Sequence, residues 1–304
     1  MKIKIIITGS NGLLGQNLIA LFLKDKNNYE IFGFSRGKNR SGSTDFEYLD
    51  IDITNKKLLV EKSKQIQPHF IINTAAMTNV DACENDRKEC YDLNVNVVQN
   101  LTTICLELNA HLIHLSTDFI FDGKKGFYKE NDLPNPLSYY GQTKLESEEI
   151  LTNSEIDYTI LRTILVYGLV NDMSRSNIVL WVKESLEKGK EITIVDDQFR
   201  MPTFVEDLAI ACKICIDKKA TGIYNISSNR LLSIYEIVQE IATVFDLNKN
   251  LIQSISTSEL NQTAARPSIT GFDLTKTNRE LEIYPKSFKE DLLRFKELLL
   301  KRHI

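Results

Sequence analysis

Short apolar segments alternate with longer amphipathic ones along the first half of the chain, and this alternation predicts parallel strands joined by helices. The predicted strands are Lys2–Thr8, Tyr29–Phe34, Glu47–Leu49, His69–Ile72 and His111–Leu115. Helical patterns follow the first strand as QNLIALFLK and the fourth as YDLNVNVVQNLTTICLEL. Since the first, fourth and fifth strands all end in small polar residues, we expect a doubly wound α/β sheet with a site along its carboxyl edge.

The second half of the chain predicts one more strand of this sheet, followed by a mixture of helices and short strands. The expected strands are Ile160–Val166, Ile192–Val195 and Gly222–Ser227, and the expected loops are Phe121–Leu137 and Asp197–Thr203. Helices are predicted in NDMSRSNIVLWVKESLEKG, VEDLAIACKIC, LLSIYEIVQEIATVFDL and SFKEDLLRFKELLLKR. The first loop is long and contains glycine and proline, so we expect it to form the lip of a substrate site.

Composition narrows the class of protein. The 304 residues are 42% hydrophobic and 26% charged, and the net charge of −4 gives no support for a nucleic-acid or membrane-surface partner. The apolar run Ile5–Ile7 is too short for a signal peptide or a membrane span. Cys212 and Cys215 lie in a helical apolar run, so we interpret them as buried thiols of a cytoplasmic protein rather than as a redox pair. The four histidines lack metal-ligand spacing, and no metal site is predicted.

A glycine-rich turn lies between the first strand and the first helix. Its residues Gly9, Asn11, Gly12, Leu13, Leu14 and Gly15 form G-x-x-G-x-x-G and are the predicted pyrophosphate-binding segment. Glycines let the backbone approach a pyrophosphate, and the helix N-terminus offers amide donors and a partial positive charge. The strand–turn–helix context therefore predicts a dinucleotide cofactor, with a spacing typical of short-chain dehydrogenases.

The residues after the second strand indicate which nicotinamide cofactor binds. Ser35 and Arg36 are followed by Lys38 and Arg40, and this strand end carries no acid. A guanidinium suits the extra phosphate of NADP, whereas an acid would hold the ribose hydroxyls of NAD. We therefore expect NADPH, with NADH as the alternative if these cations form only a solvated loop.

Further cofactor contacts are expected after the third and fourth strands. Asp52 and Ile53 are expected to cover the adenine, although Asp52 equally suits a cap for the following helix. Ala75 and Ala76 allow a cofactor to approach closely, and Thr78 in the next loop is assigned to the same site.

Tyr140 and Lys144 carry the candidate chemistry. The run SYYGQTKLESEEIL predicts a helix from near Ser138, which puts the two side chains one turn apart on one face. A neighbouring ammonium lowers the pKa of a phenol and makes it a usable acid or base. The spacing alone is a weak signal, since many such pairs are surface neighbours. Thr117 follows the fifth strand, where its hydroxyl would lie beside Tyr140. Asn94 is either a surface residue or part of a kinked helix that supports the lysine.

Six motifs together resemble one family. They are TGSNGLLGQ, NTAAMTNVDACE, LSTDFIFDG, PLSYYGQTKLESE, ILRTILVYG and DQFRMPTFVEDLA, in order from Lys2 to about Thr277. The chain resembles the extended short-chain dehydrogenase/reductases and, within them, the dTDP-4-dehydrorhamnose reductase branch. The resemblance implies a Rossmann-type NADP-binding domain at residues 1–168, with a returning segment at about 203–228, and a smaller α+β substrate domain formed by residues 169–202 and 229–304.

The same resemblance implies reduction of the 4-keto group of a nucleotide-linked deoxyhexose. Thr117 would hydrogen-bond the ketone, Tyr140 would deliver a proton, and Lys144 would hold the nicotinamide ribose and lower the pKa of the tyrosine. Substrate contacts are assigned to Val80, Asp118, Phe119, Leu165, Asn177, Gln198, Arg200 and Arg266.

Some of these substrate positions are ambiguous or depart from the family pattern. Arg266 suits a diphosphate, with a surface salt bridge as the alternative. Phe119 lacks a tyrosine hydroxyl, Leu165 replaces an expected tryptophan, and Arg200 stands where the rhamnose enzymes more often carry glycine. The sugar pocket is therefore expected to differ, while the catalytic trio is intact.

Other functions are compatible with the same motifs. The beta subunit of methionine adenosyltransferase is similar in sequence and binds NADP, so a non-catalytic regulatory protein is the first alternative. An epimerase or dehydratase would need further acid–base residues, and the acidic pair of a dehydratase is missing beside STD. The sequence does not decide the sugar, the nucleotide or the oligomeric state, and a homodimer is one option.

Overall fold

Seven parallel strands form the main sheet of the structure, a computed structural model that describes residues 2–172, 176–260 and 262–302. The strands of the chain are β1 (Ile3–Thr8), β2 (Tyr29–Ser35), β3 (Glu47–Asp50), β4 (Phe70–Asn73), β5 (His111–Thr117), β6 (Gly126–Tyr128), β7 (Tyr158–Thr163), β8 (Val166–Tyr167), β9 (Ile192–Val195), β10 (Phe199–Arg200), β11 (Thr203–Phe204), β12 (Gly222–Ile226), β13 (Leu232–Ser233), β14 (Ile252–Ile255) and β15 (Ile269–Phe272). The main sheet has the order β12-β7-β5-β4-β1-β2-β3. Because β1 lies between β2 and β4, the chain reverses direction across the sheet there, and a crevice opens above the carboxyl ends of β1 and β4. The predicted doubly wound, Rossmann-type sheet is confirmed.

Helices cover both faces of this sheet. They are α1 (Leu13–Phe22), α2 (Lys56–Ile66), α3 (Val80–Asn85), α4 (Arg87–Tyr91), α5 (Val97–Leu108), α6 (Tyr139–Thr152), α7 (Ile178–Glu187), α8 (Val205–Lys218), α9 (Ile234–Phe245), α10 (Thr275–Leu281) and α11 (Phe288–Arg302). A π-helical segment, Asp92–Asn96, joins α4 to α5. Within the described ranges, none of these helices combines the length and the apolar character needed to cross a membrane.

The central strands are buried on both faces because they are apolar at nearly every position. In β1, Ile5 and Ile7 pack with residues of α1 and α8. Ile6 points to the opposite side and packs with residues of α2 and α5. Burial on two sides is the usual arrangement for parallel strands, and it explains why KIKIIIT could be recognised as a strand without an alternating pattern.

After β8 the chain builds a second apolar cluster away from the main sheet. Helices α7, α9 and α11 pack there with the parallel pair β9 and β14. Helix α8 then returns to pack on α1, and β12 pairs with β7 at the edge of the main sheet. Residues 173–175 of the predicted helical segment before α7 lie outside the described residues. The division of the chain into two domains stays a prediction.

Three sequence-based predictions were wrong in detail. The strand expected at Ile160–Val166 is broken because Leu165 has a left-handed backbone with φ of 42°. The chain turns there from β7 into β8, which pairs with β11. The loops expected at Phe121–Leu137 and Asp197–Thr203 contain β6 and β10, which belong to a four-stranded sheet with β13 and β15. Strands of two or three residues are too short to leave a recognisable period in the sequence.

Candidate active site

The glycine turn after β1 is closely packed and leaves the N-terminus of α1 open to a ligand. Gly9 has a φ of 67°, and its carbonyl oxygen accepts a hydrogen bond from Gly12 N at 2.8 Å. A Cβ on Gly9 would lie 2.8 Å from Thr74 Oγ1, and one on Gly15 would lie 2.7 Å from Ser10 Cα. No described side chain caps α1 at Gly12, so the first-turn amides are available to an anion. The turn therefore fits a pyrophosphate.

Substituting Gly15 with alanine is expected to weaken NADPH binding, because the new methyl group would overlap the Gly9 carbonyl. Overpacking of this kind costs about 1–3 kcal/mol, or roughly 5- to 150-fold in Kd if the turn must open to relieve it. Fluorescence titration with NADPH measures the change. Gly222→Ala is the control, since Gly222 also has a positive φ of 96° but lies at β12, where a Cβ meets only Lys276 Nζ. The control should lower stability alone; equal loss of binding in both variants would contradict the assignment.

Asn11 organises the loop that is expected to bind the adenosine end of the cofactor. Its Nδ2 donates to the carbonyl oxygens of Arg36 at 3.2 Å and Lys38 at 3.0 Å, and its Oδ1 accepts from Arg40 N at 2.9 Å. The Arg36 side chain stays exposed, with Nη1 3.9 Å from Asp52 Oδ2. Asn11 thus holds this loop in place, and the Arg36 guanidinium remains accessible to a phosphate.

Asp52 does not cap α2, which was the alternative interpretation of this residue. Its carboxylate accepts two hydrogen bonds from Thr54, one from the backbone amide at 3.0 Å and one from the side-chain hydroxyl at 2.7 Å. The helix is capped by Asn55 instead. The other predicted cofactor residues follow or end strands β1 to β4 at the carboxyl edge of the sheet: Leu13, Leu14, Ser35, Ile53, Ala75, Ala76 and Thr78.

Asn94 is buried in the π-helical segment and supports the loop after β4. Its Oδ1 accepts from Met77 N at 2.8 Å, and its Nδ2 donates to Met77 O and to Thr143 Oγ1, both at 3.1 Å. Thr143 directly precedes Lys144 on α6. The kink in this helix takes the form of a π-helical segment, and Asn94 joins the cofactor-side loop to the helix that carries the lysine.

Tyr140 lies on the buried face of α6, close to the turn that follows β5. A Cβ on Gly141 would overlap the carbonyl oxygen of Phe119, so glycine at this position lets the helix approach that turn. The rings of Tyr140 and Phe119 meet edge to face, with centroids 5.8 Å apart. The approach brings the phenol close enough to the Thr117 hydroxyl for that group to influence its pKa.

Burial dominates the acid–base properties of Tyr140 and Lys144, which are only 8% and 2% exposed. Burial raises the pKa of Tyr140 strongly, while the nearby Thr117 hydroxyl lowers the pKa and the charge of Asp118 raises it. Burial lowers the pKa of Lys144 to about 8, against the opposite effect of Glu148. Tyr140 is therefore held as a protonated phenol, which is the form that can donate to a developing alkoxide.

Asp118 and Arg200 form a buried pair next to the phenol. Arg200 Nε lies 3.6 Å from Asp118 Oδ2, and the other guanidinium nitrogens donate to three backbone carbonyl oxygens. Direct contact between Arg200 and a sugar does not fit these internal hydrogen bonds, since only 4% of the residue is exposed. Thr117 Oγ1 donates to Asp118 Oδ1 at 3.1 Å, so the hydroxyl must turn away from the carboxylate to donate to a ketone.

Two further predicted substrate residues are engaged in holding the fold together. Asn177 caps α7 and donates to the Gly168 carbonyl oxygen at 2.8 Å. Gln198 is buried and donates to Thr257 Oγ1 at 3.0 Å. These internal contacts do not fit direct substrate binding by either side chain. Leu165 packs against two apolar clusters at the turn between β7 and β8.

Arg266 forms the salt bridge that was the alternative to a diphosphate contact. Its Nη2 lies 2.6 Å from Asp81 Oδ2, and the amide of Ala264 donates to the same carboxylate at 3.0 Å. The guanidinium and burial act in opposite directions on Asp81, and its pKa is lowered overall. The pair ties the coil before β15 to α3, which begins at Val80. A substrate diphosphate would have to share Arg266 with Asp81 or displace the carboxylate.

The structure adds two contacts near the site that were not predicted from the sequence. His114 Nε2 lies 2.9 Å from Lys144 Nζ, and Cys90 Sγ lies 3.6 Å from Thr143 Oγ1. The one signal in the sequence was a polar residue at a buried strand position, as at His114, because such groups need a partner. The described part of the chain contains no group of three or more His, Cys, Asp or Glu side chains able to hold a metal ion.

Comparisons with known proteins agree with this architecture. A dTDP-4-dehydrorhamnose reductase from Aggregatibacter actinomycetemcomitans is 32% identical over 95% of this chain and 97% of its own length. Methionine adenosyltransferase 2 subunit beta from Bos taurus is 30% identical over 84% of this chain and 76% of its own. The crystal structure of dTDP-4-dehydrorhamnose reductase from Bacillus anthracis in complex with NADP has a TM-score of 0.86 at 29% identity, covering 97% of this chain and 99% of that one. The profile described as RmlD substrate binding domain matches residues 2–300, and the chain therefore belongs to the RmlD substrate-binding-domain family.

Proposed function

We propose that the chain is an NADPH-dependent reductase of the 4-keto group of a nucleotide-linked deoxyhexose, with dTDP-4-dehydro-L-rhamnose as the first candidate substrate. The observation that carries the proposal is the buried, protonated phenol of Tyr140, which lies near Thr117 and one helical turn from Lys144. The glycine turn at the same edge of the sheet fits a dinucleotide. Identity of 32% and 29% to named reductases supports the same chemistry.

Each polar side chain has a defined part in the proposed reaction. NADPH, when bound, supplies the hydride. Tyr140 keeps its proton, as its raised pKa favours, until the carbonyl oxygen gains enough negative charge to take that proton. Thr117 turns from Asp118 to donate a hydrogen bond to the same oxygen. Lys144 would hold the nicotinamide ribose and, while charged, lower the pKa of the phenol.

Oxidation of NADPH by a panel of nucleotide-linked 4-ketohexoses tests this function. We expect turnover with at least one dTDP-linked 4-keto-6-deoxyhexose, followed by the loss of NADPH absorbance and by NMR of the sugar product. The same keto sugar without its nucleotide is the control and should react poorly, because binding energy from the remote part of a substrate contributes to the chemical step. Tight NADPH binding with no turnover across the panel would contradict the proposal.

Arg36 is expected to select NADPH over NADH through the extra phosphate. Arg36→Leu should raise the Kd for NADPH by roughly tenfold, the low end for a charge-assisted hydrogen bond at an exposed position, and leave the Kd for NADH unchanged. Arg40→Leu is the matched control, because Arg40 lies in the same loop but its Nε is 3.9 Å from Asp172 Oδ2. Fluorescence titration with both cofactors measures the four affinities. An equal loss of NADPH and NADH affinity in Arg36→Leu would rule out phosphate recognition.

A non-catalytic regulatory role is the second candidate, supported by the 30% identity to the beta subunit of methionine adenosyltransferase 2. A regulatory subunit would bind NADP and a partner protein but reduce no sugar. The panel assay separates the two candidates, since only the reductase hypothesis requires turnover that depends on Tyr140.

A further inference from the structure

A chain of buried hydrogen bonds crosses three strands beneath the site and ends on Lys144. Thr8 Oγ1 lies 2.6 Å from Asn73 Oδ1, Asn73 Nδ2 lies 3.1 Å from His114 Nδ1, and His114 Nε2 lies 2.9 Å from Lys144 Nζ. None of the four residues is more than 2% exposed. The chain therefore connects the end of β1, next to the glycine turn, with the candidate catalytic lysine.

The donors and acceptors along this chain of hydrogen bonds can be arranged in two ways, which differ in the charge of Lys144. When Lys144 is charged, it donates to His114 Nε2, the ring proton lies on Nδ1, and Asn73 turns its oxygen to the ring and its nitrogen to Thr8. When Lys144 is neutral, the Asn73 nitrogen donates to Nδ1, as the amide is placed in the structure, and Nε2 carries the ring proton toward Nζ and Ser147 Oγ, which lies 3.0 Å from it. The charged lysine requires the reversed amide. Both directions are available because imidazole and carboxamide each have a donor and an acceptor side. The ring itself stays uncharged, since burial and Lys144 hold the pKa of His114 well below its ordinary value.

We propose that His114, oriented by Asn73, is the positioning residue of Lys144: it directs the amino group toward the crevice and favours the charged form. With the Asn73 amide reversed, the ammonium donates one proton to the Leu115 carbonyl oxygen, 2.7 Å from Nζ, and one to His114, which leaves the third for the crevice. The inference rests on the proposed function, in which a charged Lys144 holds the ribose and acidifies Tyr140.

The charged and titratable groups around Lys144 give the sign of the expected effect. Glu148, which is paired with Arg162 of β7, faces it from α6, Cys90 faces it from α4, and His114 faces it from β5. Burial lowers the pKa of Lys144 to about 8, while Glu148 and Cys90 raise it. Hydrogen bonds to an ionised group are about twice as strong as neutral ones, so removal of His114 destabilises the ammonium more than the amine. The pKa of Lys144 is then expected to fall by about one unit.

The pH dependence of kcat in His114→Leu is the test. In the reduction direction, activity is lost as Lys144 gives up its proton, so the alkaline limb near pH 8 should move down by about one unit and kcat at pH 8 should fall roughly fivefold. His114→Gln keeps a donor and an acceptor and should restore the limb toward its original position. His111→Leu is the control: His111 is on the same strand and buried, but its ring nitrogen contacts Thr159 at 2.7 Å. The alkaline limb of kcat in His111→Leu should stay at the pH of the unaltered protein.

A second measurement keeps the inference separate from the proposed function. The Kd for NADPH is measured by fluorescence from pH 6 to 10, and its rise at high pH should begin at lower pH in His114→Leu than in the unaltered protein. If no sugar is reduced, the proposed function is wrong, and this binding curve still decides the inference. The inference would be overturned if the alkaline limb of the kcat profile and the pH at which the Kd for NADPH rises shifted equally in His114→Leu and His111→Leu. It would also be overturned if they shifted in neither variant.

Discussion

Replacing Tyr140 with phenylalanine is expected to lower kcat by a factor of about 10² to 10⁴, the range for removal of a general acid. The phenylalanine ring can keep the edge-to-face contact with Phe119, whose centroid lies 5.8 Å away. Only the proton donor is lost, so the Kd for NADPH should change little. Steady-state kinetics with the best sugar of the panel and a separate NADPH titration measure the two quantities.

Tyr139 offers a matched control on the same helix. Its ring lies under the Arg87 guanidinium, 4.7 Å from ring centroid to Cζ, and its neighbour in the chain is the phenol under test. Tyr139→Phe should leave kcat nearly unchanged. A similar fall in both variants would indicate a general disturbance of α6, and full activity in Tyr140→Phe would remove the proton donor from the mechanism.

Replacing Arg162 with methionine is expected to lower the free energy of unfolding by about 3–5 kcal/mol, the cost of leaving a buried charge without its partner. Arg162 Nη2 lies 2.7 Å from Glu148 Oε2, and both side chains are 3% exposed. Methionine retains part of the volume but cannot neutralise the carboxylate. Urea denaturation followed by circular dichroism measures the change.

A second variant distinguishes loss of the pair from loss of packing. Arg162→Met combined with Glu148→Leu removes both charges and should recover most of the stability, because a buried ion pair and an apolar replacement are often nearly equivalent. Lys183→Met, which removes a partner of Glu187 on the surface of α7, should have little effect. If the double variant is no more stable than Arg162→Met, the uncompensated charge is not the cause.

The features that could be predicted from the sequence are those whose parts are close together in the chain. The seven residues from Gly9 to Gly15 form one turn, and Tyr140 and Lys144 share one face of one helix, so spacing alone brought each set together. The parallel arrangement of the main sheet followed from alternating strand and helix patterns, since parallel strands need a crossover between them.

The contacts that could not be predicted depend on distant partners. Asp81 and Arg266 are 185 residues apart, and nothing local in either segment indicates that they pair. Whether a polar side chain faces a ligand or a backbone amide is also decided by packing, which is why Asn177 is a helix cap and Arg200 is held by carbonyl oxygens. The left-handed turn at Leu165 is a further example, because a leucine carries no turn signal.

The π-helical segment Asp92–Asn96 limits how this part of the chain can change in length during evolution. A π turn accommodates one residue more than an α turn. Deletion of a single residue there would leave a regular α turn between α4 and α5 and remove the bulge that holds Asn94, so that Asn94 could no longer meet both Met77 and Thr143. Gaps in homologous sequences should therefore avoid this stretch, even where the residue types themselves are free to vary.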